Sequence, residues 1–234
     1  MFIISPLSQC ASPAKRDEFL SHIERIAAVT LHKEPRCHAY AWFRSADDND
    51  EVPSHWLRGF EVYESIEANQ VEHRASSEYK AFRAAVGEQG FLAKPSDLRF
   101  WHPAGIGFLS KKSQEIFTPP TSSDELQYVV TDELTTRPGA KAQALDHLGK
   151  AAAIARENDA VLSFWVQDRA GIRDIRAEGL DNNELYILVR CKNKEAYDLF
   201  YSATNTVTWE LIEDLVNERR RTTWVESGLG FIGR

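Results

Sequence analysis

Sulfur is scarce in this chain: its 234 residues include three cysteines and one methionine. Cys10, Cys37 and Cys191 are odd in number, far apart, and form no CxxC pair, which argues against a disulfide framework or a thiolate metal knuckle. They are expected to be buried free thiols. The seven histidines (His22, His32, His38, His55, His73, His102 and His147) contain no HxH, HxxH or HExxH, so a metal would need ligands gathered from distant segments, and none is expected. Basic charge is also short, with 28 Lys and Arg against 35 Asp and Glu and a formal charge of −7. Phosphate-backbone binding needs clustered cations, so no nucleic-acid partner is expected. No stretch approaches the ~20 apolar residues of a membrane span. The opening MFIISPL lacks the basic flank and longer apolar run of a secretion signal. No membrane association and a cytoplasmic location are expected. The one basic run, Arg219 to Arg221, closes an expected helix from Trp209, where cations offset the negative end of the helix dipole.

What is present is a globular composition, 43% apolar, 11% aromatic and 27% charged, at a length that suits two domains of about 110 residues. An internal repeat supports two. Trp101-x3-Gly105-x-Gly107-Phe108 is answered by Trp224-x3-Gly228-x-Gly230-Phe231 at an offset of 123, which Trp42 and Trp165 share. Pro13, Leu20, His22, Ile23, Ala27 and Ala28 match Pro138, Leu145, His147, Leu148, Ala152 and Ala153 at an offset of 125. Between the copies lies the Pro/Ser/Thr-rich TPPTSSD, which predicts units at 1–117 and 125–234 joined by a linker at 118–124.

Each copy reads as strand, helix, strand, strand, helix, strand. In the first these cover 2–7, 13–31, 37–44, 57–65, 67–86 and 98–109. In the second they cover 126–134, 138–157, 161–167, 184–191, 194–221 (broken near Thr204 to Thr206) and 222–232. This βαββαβ order is the ferredoxin-like unit, an α+β architecture. One such unit covers only one sheet face with helices, so the two are expected to pack sheet to sheet. The glycine pairs lie within strands with no helix N-terminus after them, which predicts a bulge or a close backbone approach, not a phosphate loop.

Side chains of chemical interest cluster in the first copy. Strand 37–44 alternates His38, Tyr40, Trp42 and Arg44 on one face with Cys37, Ala39, Ala41 and Phe43 on the other. Buried His, Tyr and Trp need hydrogen-bond partners, which a core or a ligand pocket can supply. The corresponding face of the second copy, Val161, Ser163, Trp165 and Gln167, is blander. Strand 57–65 contributes Glu61 and Tyr63 and ends at Ser65, a helix N-cap, with Glu67 in the first turn.

The run EVYESIEANQVEHRASSEYKAF, following HAYAWFR, resembles the antibiotic-biosynthesis-monooxygenase (ABM) family, and the likeness is greatest to fungal tandem proteins. It covers roughly residues 1–110; the second copy is recognisable mainly through the repeat. The resemblance implies an intrachain version of the dimeric α+β barrel and a cofactor-independent monooxygenase of secondary metabolism, using O2 on a phenolic or polyketide-like small molecule. It also implies roles for residues. In the haem-degrading branch an aromatic residue on this strand and a histidine on the next helix are functional, and Tyr63 with His73 resembles them. Tyr here stands where that branch has Trp, so haem is not expected. His73 becomes the catalytic base and Tyr63 the donor to an anionic oxygen. His38, Tyr40, Trp42, Arg44 and Glu61 become substrate-binding residues.

The second copy keeps no matching histidine in either competing register: His73 falls on Ala196 or on Tyr201, and Tyr63 on Tyr186 or Cys191. It is expected to be a degenerate partner to an active first copy. A decarboxylase, cyclase or isomerase on a similar substrate and a non-catalytic binding barrel remain alternatives, and pairing of the chain with itself stays open.

Overall fold

The computed structural model describes residues 1–119, 122, 126–169 and 183–234, so most of the expected linker at 118–124 lies outside the described residues. The first repeat comprises β1 (Phe2–Ile4), β2 (Leu7–Ser8), α1 (Pro13–Lys33), β3 (Cys37–Ser45), β4 (Leu57–Tyr63), α2 (Ser77–Glu88), β5 (Phe100–Phe108) and a short β6 (Glu115–Ile116). The second comprises β7 (Tyr128–Thr136), α3 (Lys141–Glu157), β8 (Val161–Asp168), β9 (Glu184–Cys191), α4 (Lys194–Thr204), a single-turn α5 (Glu210–Glu213) and β10 (Val216–Ile232). Both are ferredoxin-like, and the fold is α+β.

The starts of α1, α2 and α4 follow side-chain caps. Ser12 accepts from the Lys15 amide at 3.2 Å ahead of Pro13, and Asn193 accepts from the Ala196 amide at 2.9 Å. Two expected helices differ from the structure. The stretch predicted as one helix from Glu67 opens as a π turn (Ala68–Glu72) and a 3-10 turn (His73–Ala75). It restarts at Ser77 because Ser76 is extended and caps the new helix through the Tyr79 amide. The helix predicted to end at Arg221 ends at Glu213, and Arg219 to Arg221 lie in β10. Arg219 and Arg221 are two residues apart, so on a strand they share a face, and both reach the buried Asp132 of β7. Charge pairing across the sheet replaces the helix-dipole role expected for this run.

The chain forms two compact units, and each takes the closing strand of the other repeat. The first unit contains Met1–Phe100, Lys112–Pro120 and Trp224–Arg234; the second contains Trp101–Lys111 and Thr121–Thr223. In the first, β4 pairs with β1, β2 and β3, while β3 pairs antiparallel with the second half of β10, Phe231 against Tyr40. In the second, β9 lies between β7 and β8, and β8 pairs with β5, Gly107 against Trp165. The repeated glycines mark bulges in these closing strands: a side chain on Gly107 or Gly230, both at positive φ, would strike the Phe164 or Tyr40 carbonyl oxygen. No helix among the described residues is long and apolar enough to cross a membrane.

Candidate functional site

In the first unit the mixed face of β3 looks toward the helices. Phe19, from the stripe Phe19, Ile23, Ile26 and Thr30 of α1, packs on Trp42 with ring centroids 5.1 Å apart and on Phe82 of α2 at 4.9 Å. Tyr40, farther along β3, meets His73 at 5.3 Å. Register places Tyr40 opposite Glu61 and Trp42 opposite Gly59, so Glu61 and Tyr63 of β4 join the same layer. Tyr63 lies 5.5 Å from the His73 ring, and Tyr79 of α2 closes it at 5.1 Å.

His73 is 1% exposed, and its Nδ1 donates to Glu34 Oε2 at 2.8 Å, with Thr30 Oγ1 at 3.4 Å. In the neutral imidazole that bond leaves the lone pair on Nε2, an atom with no hydrogen-bond partner among the described residues. The turn holding the ring is fixed by Ser76 Oγ, which donates to the His73 carbonyl at 2.9 Å. Glu34 caps the end of α1, where the helix dipole disfavours a carboxylate. Arg234 lies over the same carbonyls, donating to Glu34 O at 2.7 Å and also to Thr30 O and Leu31 O. His38 is engaged with the main-chain oxygen of Arg234 at 3.1 Å, so its contact is to the chain that secures this helix end.

The carboxylates and phenols around His73 are buried. Tyr63 donates to Glu61 Oε2 at 2.9 Å. Burial raises the Glu61 carboxyl above the usual carboxylate range, against the pull of His73, Tyr63 and Arg74. Burial also holds the Tyr40 and Tyr63 phenols far above their ordinary value, with Glu61 adding to the rise, so both are neutral donors at physiological pH. The layer therefore combines a carboxylate-oriented imidazole, which can take a proton, with two neutral phenols that can stabilise an oxyanion, Tyr63 only by turning its one O–H from Glu61. Glu34 Oε1 and Asn69 Oδ1 are buried there without partners.

The structure thus brings His73, Tyr63, Tyr40 and Glu61 together, with Trp42 beside them. It sets Arg44 apart in a cleft near the start of α1, and His38 against Arg234. Glu34, Thr30, Asn69 and Tyr79 were not singled out from the sequence. Glu34 carried a signal: it continues the buried stripe of α1 four residues after Thr30, an acid on an apolar face.

The second unit offers different chemistry. Asp132, 0% exposed, accepts from Arg219 Nε at 2.8 Å, Arg221 Nε at 3.0 Å and Arg221 Nη2 at 3.1 Å. The Arg221 guanidinium lies 4.5 Å over Tyr201, which stacks on Tyr197 and Trp209. Burial raises the Asp132 carboxyl, against the pull of Arg221. Tyr201, one of the two positions that answer His73, lies in this cation–aromatic stack.

Fold and site together define a two-unit ferredoxin-like protein with a buried His–Glu pair in its first unit. Residues 7–85, which carry that pair and both phenols, match the family described as antibiotic biosynthesis monooxygenase. No curated protein matches the chain. Among solved structures, a candidate monooxygenase from Lactobacillus acidophilus is 14% identical, covering 98% of this chain and 96% of its own at a TM-score of 0.67. A second, from Fusobacterium nucleatum, is 12% identical over 98% and 95% at 0.69. An anthrone oxidase-like protein is 15% identical over 96% and 90% at 0.62. These similarities establish a shared fold across both repeats.

Proposed function

We propose that the chain is a cofactor-independent monooxygenase acting on an electron-rich phenolic or polyketide-like small molecule, with its reaction centre in the first unit. The buried His73–Glu34 pair beside two neutral phenols is the observation that carries this reading. His73 Nε2 takes the proton of a substrate phenol or enol, while Glu34 holds the Nδ1–H side and stabilises the imidazolium. The substrate anion is then the reductant of O2. One oxygen atom becomes bonded to the substrate carbon, and the other leaves as water with two hydrogens from the substrate. Tyr40 donates to the oxygen on which negative charge develops, joined by Tyr63 when its one O–H turns from Glu61 Oε2, and Trp42 with Phe19 forms an aromatic wall. The net acidity of the chain supports a small-molecule partner over nucleic acid.

Oxygen uptake by metal-free protein over a panel of anthrones, naphthols and hydroquinones tests this. Anthrones come first because one structural relative is anthrone oxidase-like. The expected result is uptake above the spontaneous rate and a product that has gained one oxygen atom and lost two hydrogens. His73→Ala is expected to lower the rate by roughly 10²–10⁴-fold, the range of general-base loss. Glu34→Ala should lower it less and Tyr63→Phe should lower kcat. An unchanged rate in His73→Ala would reject the assignment.

A further inference from the structure

A second place in the first unit has the makings of a binding site. An open cleft of about 340 Å³ is bounded by the first half of α1, the end of β3, Pro119 and the β10 bulge. That volume accommodates a one- or two-ring organic molecule. Its floor is apolar, from Leu20, Leu229 and Pro119, and Arg44 enters from β3.

Arg44 is half-buried and poorly compensated. One donor, on Nη2, reaches the Ser227 carbonyl at 3.3 Å, while Nε is buried without a partner. No carboxylate lies within ion-pair distance of it among the described residues. Asp17 on the rim is engaged by Arg16 at 2.8 Å, and Glu24 is exposed to solvent, where its charge is screened. A guanidinium with most of its five donors unspent, at the edge of an apolar pocket, matches the planar two-oxygen geometry of a carboxylate. The walls are set in place: Ser227 Oγ donates to the Trp42 carbonyl at 2.6 Å, and the backbone at Gly228, φ +77°, lies close against Pro119.

We infer that this cleft binds a small apolar carboxylate, its anionic group on the Arg44 guanidinium and its hydrocarbon face on Leu20, Leu229 and Pro119. The site is separate from the His73 cluster, since Arg44 lies four residues from Tyr40, about 13 Å along an extended strand. It stands whether or not that cluster is catalytic.

Calorimetric titration of the intact protein with 2-naphthoate and with 2-naphthamide, the same rings with a neutral amide in place of the carboxylate, tests the inference. Wild type is expected to bind naphthoate about tenfold or more tightly than naphthamide, with affinity falling as salt rises. Arg44→Gln should abolish that preference, Arg44→Lys should keep part of it, and His73→Ala should leave naphthoate binding unchanged. Leu229→Trp, which fills the cleft while leaving Arg44 in place, should weaken naphthoate binding. Far-UV circular dichroism checks that each variant is folded. Equal affinity for the two probes, a preference that survives Arg44→Gln, loss of naphthoate binding in His73→Ala, or no binding at about 10 mM would each overturn it.

Discussion

The two glycines of the first Trp-x3-Gly-x-Gly motif should respond very differently to alanine. Gly105 has φ +79° and Gly107 φ +88°, so alanine at either meets the left-handed penalty of about 1–2 kcal/mol, offset by about 0.4–1 kcal/mol from a stiffer unfolded chain. A Cβ on Gly105 meets nothing within 4 Å, and about 1 kcal/mol is the whole expected cost. On Gly107 the same atom strikes the Phe164 carbonyl and lies 3.2 Å from Trp165 Cα. Relief requires β5 to move off β8 where Ile106, Gly107 and Phe108 pair with Val166, Trp165 and Phe164. Losing two or three ladder hydrogen bonds at about 1 kcal/mol each brings the Gly107→Ala cost to roughly 3–4 kcal/mol. Urea unfolding followed by tryptophan fluorescence and circular dichroism measures both variants. A difference below about 0.5 kcal/mol between them would refute the close-approach explanation.

Asp132→Ala leaves two guanidiniums without their buried carboxylate and should destabilise the second unit by about 3–5 kcal/mol in denaturant unfolding, with Asp132→Asn costing less. Burial raises the Glu61 carboxyl above its ordinary 4.5, so its protonated form favours folding, and that stability is present below the unfolded value and lost as pH rises through the folded one. Glu61→Gln should therefore compare better with wild type at pH 7 than at pH 4.5, and parallel Tm–pH curves would contradict this. All three cysteines are buried, and burial pushes the Cys10 and Cys191 thiols up to about 12. A thiol reagent should accordingly label none in the native protein and all three after denaturation.

The repeat and the strand–helix order were legible because they rest on local periodicity: β9 spans the expected 184–191, and the β3 alternation names one face residue by residue. That this face looks toward helices was not legible, since alternation distinguishes two faces without saying what covers either. Arg219 to Arg221 misled because, beside a helical pattern, three cations suit a helix end; their strand role depends on Asp132, nearly ninety residues away. Glu34 was overlooked for a related reason. Its partner His73 is 39 residues on, and spacing alone does not bring the two within 2.8 Å. Pairing of distant segments also decides the closing strands, because either unit accepts either copy of the Trp–Gly motif equally well by pattern.

The exchange of closing strands sets a timetable for synthesis. The first unit needs Trp224–Arg234 to cover the β3 edge and to secure the end of α1 beside Glu34, so its sheet stays open while the rest of the chain is made. At about 5–20 residues per second, the segment after Pro119 takes on the order of ten seconds. For that interval β3 presents unpaired backbone groups, a template for pairing with other nascent chains. A ribosome that stops between Pro119 and Trp224 therefore releases a first unit with every proposed reactive side chain encoded and its sheet unfinished. Quality control would meet such products as aggregation-prone intermediates and not as active half-enzymes.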